Sequence, residues 1–235
     1  MIREWRAAWA DGAGQQSLPF GFAQIGPRDC VPCADHQGPN GTFYGGIRWS
    51  QTAFQYVVPN ALMPNAFMAV TADLAEGYSP VLGLGAGCVH FGDKQDVGRR
   101  LALGVRKAVY GHDVVASGPM VVSADVVNGE ALRLRFDGPI EVRNASGFEL
   151  AKNGADYAAA TITTHDADSV TLAIPAAAAS AAAVVSLRYI LHDTPCINQT
   201  CAIYGPAGLP SPPLVANLPG HHGADPVGWN VTEIN

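Results

Sequence analysis

A single histidine stands where a general base for catalysis could lie. His90 falls in the stretch Cys88–Leu101, just ahead of a helix that the sequence predicts from Asp93, a favourable N-cap residue, onward. An apolar strand and a long glycine-rich loop precede it, and open α/β sheets present functional groups in such loops, at the carboxyl ends of their strands. A loop histidine without any chemistry fits the same spacing, so the pattern alone leaves both interpretations open.

Two pairs of polar residues could assist such a histidine. Asp73 and Glu76 come at the end of the predicted strand 66–74, where a carboxylate could orient an imidazole ring. Arg48 and Gln51 are three residues apart on a predicted helix and therefore share a face, where they could hydrogen-bond a sugar or merely each other.

The common nucleophile motifs of hydrolases are missing from the sequence. It contains neither Gly-x-Ser-x-Gly nor Gly-Asp-Ser, and none of its seven histidines has an aspartate three residues before it. The adjacent pair His221-His222 has no accompanying carboxylate cluster, so we predict neither a metal site nor a cofactor.

The five cysteines favour structural disulfides over metal or redox chemistry. Cys196 and Cys201 flank four residues and could close a small disulfide loop. Cys30 and Cys33 form a lone Cys-x-x-Cys in a region rich in proline and glycine, without the second pair of a zinc ribbon or the helix start of a thioredoxin-like site. Cys88 leaves the count odd.

Sequons and cysteines together indicate a secreted or lysosomal protein. Four Asn-x-Ser/Thr sequons predict glycosylation at Asn40, Asn144, Asn198 and Asn230. The first residues, Met1–Arg6, read as part of an amphipathic helix and not as a signal peptide, so we expect a signal peptide upstream of Met1. A net charge of −6 without a basic stripe argues against nucleic acid as a partner, and no apolar run reaches the ~20 residues of a membrane span.

The order of predicted elements divides the chain in two. Helices and strands alternate first, over 2–11, 19–25, 47–54, 66–74 and 93–110, which is typical of an α/β fold. Short strands then follow one another, with Asn128-Gly129 as a hairpin turn, and predict an antiparallel β-sandwich. We therefore predict an α/β portion at 1–111, a β-sandwich domain at 112–219 and a tail at 220–235; the strands are expected at 120–127, 131–136, 140–142, 148–151, 158–164, 170–174 and 184–191.

Several segments in the same order resemble sialate O-acetylesterases over nearly the whole chain. In the first half these are Met1–Arg6, Pro19–Gln24, Ile47–Ala53, Met63–Leu74, Val89–Gln95 and Gly98–Leu101. In the second half they are Gly147–Glu149, Leu187–Tyr189, Pro195-Cys196 with Cys201, and Gly208–Pro213.

The resemblance implies a serine esterase of the SGNH type that removes O-acetyl groups from sialic acids. In that family a serine attacks the acetyl carbonyl, and a histidine in the segment that matches His90 takes its proton. The resemblance also implies the fold, which is the C-terminal portion of an SGNH-like α/β/α sandwich followed by a β-sandwich domain. Asp73, Asp93 or a backbone carbonyl could orient His90, with Asp73 ranked first, while Arg48 and Gln51 are candidates for lining the substrate pocket.

This sequence departs from the family in one important respect. The family's nucleophilic serine lies in a Gly-Gln-Ser-Asn-type motif upstream of the matched segments, and neither that motif nor the family's oxyanion segment occurs here. We therefore expect a C-terminal part that is inactive on its own. Two other functions fit the sequence: another carbohydrate acetylesterase, such as an acetylxylan esterase, or a non-catalytic secreted glycoprotein that binds glycans.

Overall fold

The computed structural model describes residues 1–9, 18–27, 43–75, 91–152, 156–176, 184, 186–218 and 233–234. Several sequence predictions fall outside these ranges and stay predictions. They concern His90, the cysteines Cys30, Cys33 and Cys88, the sequons at Asn40 and Asn230, and the pair His221-His222.

The first part of the chain contains three helices and a two-stranded parallel sheet. The helices are α1 (Ile2–Ala8), α2 (Phe43–Gln51) and α3 (Lys94–Ala108), and the strands are β1 (Phe20–Ala23) and β2 (Ala66–Ala69). Helix α3 packs across both strands.

One phenylalanine ring fixes how closely α3 and the sheet pack. The ring of Phe67 on β2 lies against Gly21 of β1 and Gly104 of α3, and a Cβ atom at either glycine would overlap it. The predicted helix at 93–110 is confirmed with shorter ends, and Asp93 is its N-cap, because its Oδ1 accepts the backbone N–H of Asp96 at 2.9 Å.

The remaining strands are antiparallel, except for one short parallel pair. Their bounds are β3 (Val121–Val127), β4 (Ala131–Phe136), β5 (Glu141–Val142), β6 (Phe148–Ala151), β7 (Ala158–Ala160), β8 (Ile162–His165), β9 (Ser169–Ala173), β10 (Ser186–Tyr189), β11 (Ile203–Tyr204), β12 (Leu214–Asn217) and β13 (Glu233–Ile234). Their order is β13-β3-β4-β9-β8 in one sheet and β12-β10-β6-β7 in a second, and β11 pairs separately with β5. The predicted α/β portion followed by an antiparallel β-sandwich is thus confirmed.

One hydrophobic core joins the two parts of the chain. Alternate residues of β4, Leu132 and Leu134 among them, are buried, as expected for a strand with one face on a core. Tyr56 and Ala72, from the helical part, belong to the same buried cluster as the β-sandwich residues. The tyrosine also hydrogen-bonds across this junction, because its Oη accepts the backbone N–H of Val121 at 3.1 Å.

Some predicted element ends differ from the structure. Helix α2 begins at Phe43 instead of residue 47. Strand β2 ends at Ala69 instead of residue 74, because the backbone turns after it, where the N–H of Leu74 donates to the carbonyl of Thr71 at 3.2 Å. The predicted strand 158–164 is two strands, β7 and β8. Within the predicted tail, Glu233–Ile234 pairs in parallel with β3.

Candidate functional site at the carboxyl ends of β1 and β2

The ends of the two parallel strands are joined by side chains. Thr71, just after β2, donates its hydroxyl to the carbonyl of Gln24 at 2.6 Å. Gln51 at the end of α2 accepts the backbone N–H of Ile25 at 2.8 Å through its Oε1. These bonds fix the backbone where parallel sheets place ligands. The bond between Gln51 and Ile25 is a structural contact, and the predicted place of Gln51 in the substrate pocket stays a prediction.

Arg48 is buried and holds three segments together. Its guanidinium donates to the carbonyls of Ile25, Gly26, His192 and Asp193 at 2.7–3.0 Å. Burial lowers the pKa of Arg48 to about 10 and the charge of Asp193 opposes that shift, so the side chain is a cation at neutral pH. Its side chain is 0% exposed, so these contacts assign it the task of joining the strand end to the β-sandwich part. Its predicted substrate contact stays a prediction.

Asp73 lies at the centre of a buried polar network. Both of its carboxylate oxygens accept hydrogen bonds from Arg100, at 2.5 and 2.8 Å, and Oδ2 also accepts the hydroxyl of Tyr204 at 2.9 Å. Arg100 further donates to the carbonyl of Val70 at 2.6 Å and pairs with Asp96 at 2.7 Å. The carboxylate is thus held by residues from helix α3 and strand β11. Its predicted role in orienting His90 stays a prediction.

Burial and charge determine the protonation of this network. Burial, followed by the charge of Asp73, raises the pKa of the Tyr204 phenol well above its ordinary value, so the hydroxyl stays a donor. Burial acts against the charge of Arg100, but the hydrogen bond and charge of Asp73 outweigh it, and the pKa of Arg100 is raised. Neither Arg100 nor Tyr204 was among the predicted site residues, because they bond to Asp73 from positions up to 131 residues away in the sequence.

The residue that follows His90 is anchored at the same end of the sheet. Phe91 is buried, and its ring lies so close to Gly26 that a Cβ atom there would overlap it. Lys94 donates to the Phe91 carbonyl at 2.6 Å and lies 4.1 Å from the centre of its ring. Phe91 is therefore fixed beside the end of β1.

A disulfide loop from the β-sandwich part reaches the end of β2. Cys196 and Cys201 are bonded, so the predicted pairing is present in the structure. Inside this loop, Asn198 donates its backbone N–H to the carbonyl of Ala75 at 2.6 Å, and Gln199 donates to the carbonyl of Asp73 at 3.0 Å. Sequence reasoning found the disulfide but gave no signal that the loop extends the backbone pairing beyond β2.

The described part of the chain also contains an apolar cavity of about 330 Å³. Its walls are formed by strand β2, helix α3 and the segments 57–59, 116–118 and 209–210, and Arg100 is the side chain of the polar network that reaches it.

Two sequons lie inside the described ranges. Asn198 is exposed, and Asn144 is half-buried, with its Nδ2 donating to the Thr200 carbonyl at 2.6 Å. Glycosylation at both stays a prediction.

Neither a metal-ligand cluster nor a membrane-spanning helix occurs among the described residues. No group of three or more His, Cys, Asp or Glu side chains that could hold a metal ion occurs within the described ranges. In the same ranges, no helix has the length and apolar character needed to cross a membrane.

The fold matches part of a solved carbohydrate acetylesterase. A solved carbohydrate acetylesterase from Xanthomonas citri matches it with a TM-score of 0.68 and 27% sequence identity, over 92% of this chain and 44% of that protein. Residues 124–218 match the family model of the sialate O-acetylesterase C-terminal domain. The particular relatives are therefore sialate O-acetylesterases, and the resemblance predicted from the sequence is confirmed.

Curated relatives extend the similarity to nearly the whole chain. The sialate O-acetylesterase of Homo sapiens is 33% identical over 236 residues, which cover 94% of this chain and 42% of the relative. That of Mus musculus is 32% identical over 229 residues, which cover 93% of this chain and 40% of the relative. The chain spans about two fifths of the length of these relatives and corresponds to their C-terminal part.

Proposed function

We propose that this chain is the histidine-bearing part of a carbohydrate esterase that removes O-acetyl groups from sialic acids. The observation that carries the proposal is the similarity to sialate O-acetylesterases over 94% of the chain. The anchoring of Phe91 at the carboxyl ends of the parallel strands supports it, because the predicted base is the residue immediately before.

In the proposed reaction, a serine from outside this sequence attacks the acetyl carbonyl carbon. His90 accepts the serine proton and donates it to the sugar oxygen as the bond from that oxygen to the acetyl carbon breaks, which leaves an acetyl-enzyme and the free sugar hydroxyl. His90 then takes a proton from the water that attacks the acetyl carbon and donates it to the serine oxygen as acetate leaves. Asp73 is the proposed orienting carboxylate, and its rigid hold by Arg100 and Tyr204 suits a group that must not move during proton transfer.

A second candidate is an esterase for another acetylated sugar, such as an acetylated xylan. The specific observation in its favour is the structural match to the carbohydrate acetylesterase from Xanthomonas citri. A secretory or lysosomal route is proposed for either esterase, on the basis of the sequons and the Cys196–Cys201 disulfide.

The test is acetate release from 9-O-acetylated sialic acid and from acetylated xylan. The chain is assayed alone and mixed with the serine-bearing upstream part of a related sialate O-acetylesterase. We expect no release by the chain alone and release from the sialic acid by the mixture, abolished in His90→Ala and retained in the matched variant His165→Ala, which changes an exposed histidine of β8.

Three outcomes would contradict parts of the proposal. Release by the chain alone, lost in His90→Ala, would place the nucleophile within these residues. Release by the mixture that His90→Ala leaves unchanged would remove His90 from the mechanism, and release from xylan only would favour the second candidate.

A further inference from the structure

A polar cavity of about 450 Å³ opens where the disulfide loop meets the end of β2. Among the described residues, its lining comes from three stretches: the residues after β2, the start of α3 and the tip of the Cys196–Cys201 loop. The residues are Leu74, Ala75, Gly92, Asp93, Gln95, Asn198 and Gln199. The cavity is thus shared between the α/β part and the β-sandwich part.

The floor of the cavity is rigid. Leu74 and Ala75 are 2% and 0% exposed. The opposite wall is tied to this floor by the backbone bonds from Asn198 to Ala75 and from Gln199 to Asp73, and the disulfide closes the loop behind them. Little conformational freedom therefore remains to be lost when a ligand enters.

The side chains around the cavity suit hydroxyl groups. Gln95, Asn198 and Gln199 each carry an amide that can donate and accept, and Asp93 adds a carboxylate acceptor. Neither lysine nor arginine is among the lining residues within the described part of the chain. Such a cavity fits a neutral, hydroxyl-rich part of a sugar and does not favour an anionic group.

We propose that this cavity binds hydroxyl groups of the sugar, leaving the carboxylate of a sialic acid outside it. The inference rests on the proposed function and deepens it, because it gives the β-sandwich part a share in substrate recognition. Gln95 and Gln199 are the principal specificity residues, facing the sugar from the two sides of the cavity. Asn198 lies at the exposed rim, where a sugar in the cavity and a glycan on its side chain would compete for space.

The test is binding of the methyl α-glycoside of N-acetylneuraminic acid to the full chain, produced without glycosylation and followed by calorimetry and ligand-observed NMR. Each of Gln95→Ala and Gln199→Ala is expected to weaken binding roughly three- to tenfold, the usual effect of losing one hydrogen bond. Gln55→Ala, a matched glutamine that does not line the cavity, should leave the affinity unchanged. The methyl ester of the same glycoside should bind at least as well as the acid.

Three results would overturn the proposal. The first is that the glycoside does not bind the unaltered chain. The second is that the unaltered chain and both cavity variants bind it with equal affinity. The third is that the methyl ester binds more than tenfold more weakly than the acid. Thermal unfolding of each variant shows whether it is folded, and the NMR contacts of the ligand give a second measurement. Acetate release tests the proposed function separately: binding lost in the cavity variants without any esterase activity would leave a sugar site in a protein of another function.

Discussion

Tyr204 on strand β11 donates its hydroxyl to Asp73 at 2.9 Å, across 131 residues of sequence. The bond connects the β-sandwich part to the loop after β2. The guanidinium of Arg143 lies over the Tyr204 ring, 3.7 Å from its centre. The candidate site is therefore stabilised from both parts of the chain.

Removing this hydroxyl should destabilise the whole protein. We expect Tyr204→Phe to lower the free energy of unfolding by about 1–2 kcal/mol, because a buried carboxylate loses one of its charge-assisted hydrogen bonds. Urea unfolding at neutral pH measures the change. Tyr110→Phe, at an exposed tyrosine, is the control and should be neutral; equal stability of the two variants would contradict a structural role for the bond.

Arg48→Lys distinguishes a structural from a substrate-binding arginine. A lysine cannot reproduce the forked donation to four carbonyls, so we expect a loss of at least about 2 kcal/mol in the free energy of unfolding. The affinity of the folded variant for the sialic acid glycoside should stay unchanged. Arg3→Lys, at an exposed arginine of α1, is the control; weakened sugar binding with unchanged stability would instead support the predicted pocket role.

Glu149 should make the protein sensitive to acid. Burial raises its pKa, but the hydrogen bonds and charges of His192 and Arg188 outweigh that effect and lower the pKa to about 2. Because the pKa is lower in the folded state than in the unfolded state, the ion pair stabilises the fold above about pH 4.5, and this stabilisation is lost as the pH falls toward 2.

The corresponding variant is Glu149→Gln, compared with Glu130→Gln in the exposed turn of the β3–β4 hairpin. Glu149→Gln should be less stable than the unaltered chain at pH 7 and should lose less stability between pH 5 and pH 2.5. Denaturant unfolding at several pH values gives both quantities. Parallel pH profiles for the unaltered chain and Glu149→Gln would refute this account.

The Cys196–Cys201 disulfide should matter for sugar binding as well as for stability. Cys196→Ser with Cys201→Ser removes the closure of a loop with a sequence separation of 5, which is worth about 2 kcal/mol by loop entropy. The same change loosens the wall that carries Gln199. We expect a lower melting temperature and weaker binding of the glycoside; an intact affinity at a temperature where the variant is folded would show that the backbone bonds alone hold the cavity.

Strand β1 should promote self-association. Among the described residues it pairs on one side only, with β2, and Ala23 is exposed, whereas parallel strands are normally buried. We expect association that increases with concentration, measured by sedimentation, and a reduction in Ala23→Lys. Ala102→Lys, at an exposed alanine of α3, is the matched control; a monomer at every concentration would contradict this expectation.

Local patterns predicted the local structure well. Asn128 and Gly129 both have positive φ, 51° and 70°, as expected for an Asn-Gly hairpin turn, and strands β4 and β6 have their predicted bounds. Helix α3 was equally clear, because its N-cap and apolar spacing are written within a few residues.

Contacts between distant segments account for what the sequence did not predict. The sequence predicts the start of α2 at residue 47, after Gly45, yet Gly45 lies inside the helix and is required there because a Cβ would overlap the carbonyl of Leu191. The buried bonds of Arg48 and the hydrogen bond of Tyr204 also join segments more than 100 residues apart. The spacing of residues within one segment cannot predict partners that lie in a distant segment.

The start of helix α2 depends on a residue made much later in synthesis. The backbone N–H of Tyr44 is accepted by Oδ1 of Asp193 at 2.7 Å, 149 residues further along the chain. At the usual ribosomal rate of roughly 5–20 residues per second, the helix waits on the order of 7–30 s for this partner. During that interval Arg48 also lacks the two carbonyls of His192 and Asp193, so a nascent chain that has emerged only as far as α3 cannot yet complete the buried site of this arginine.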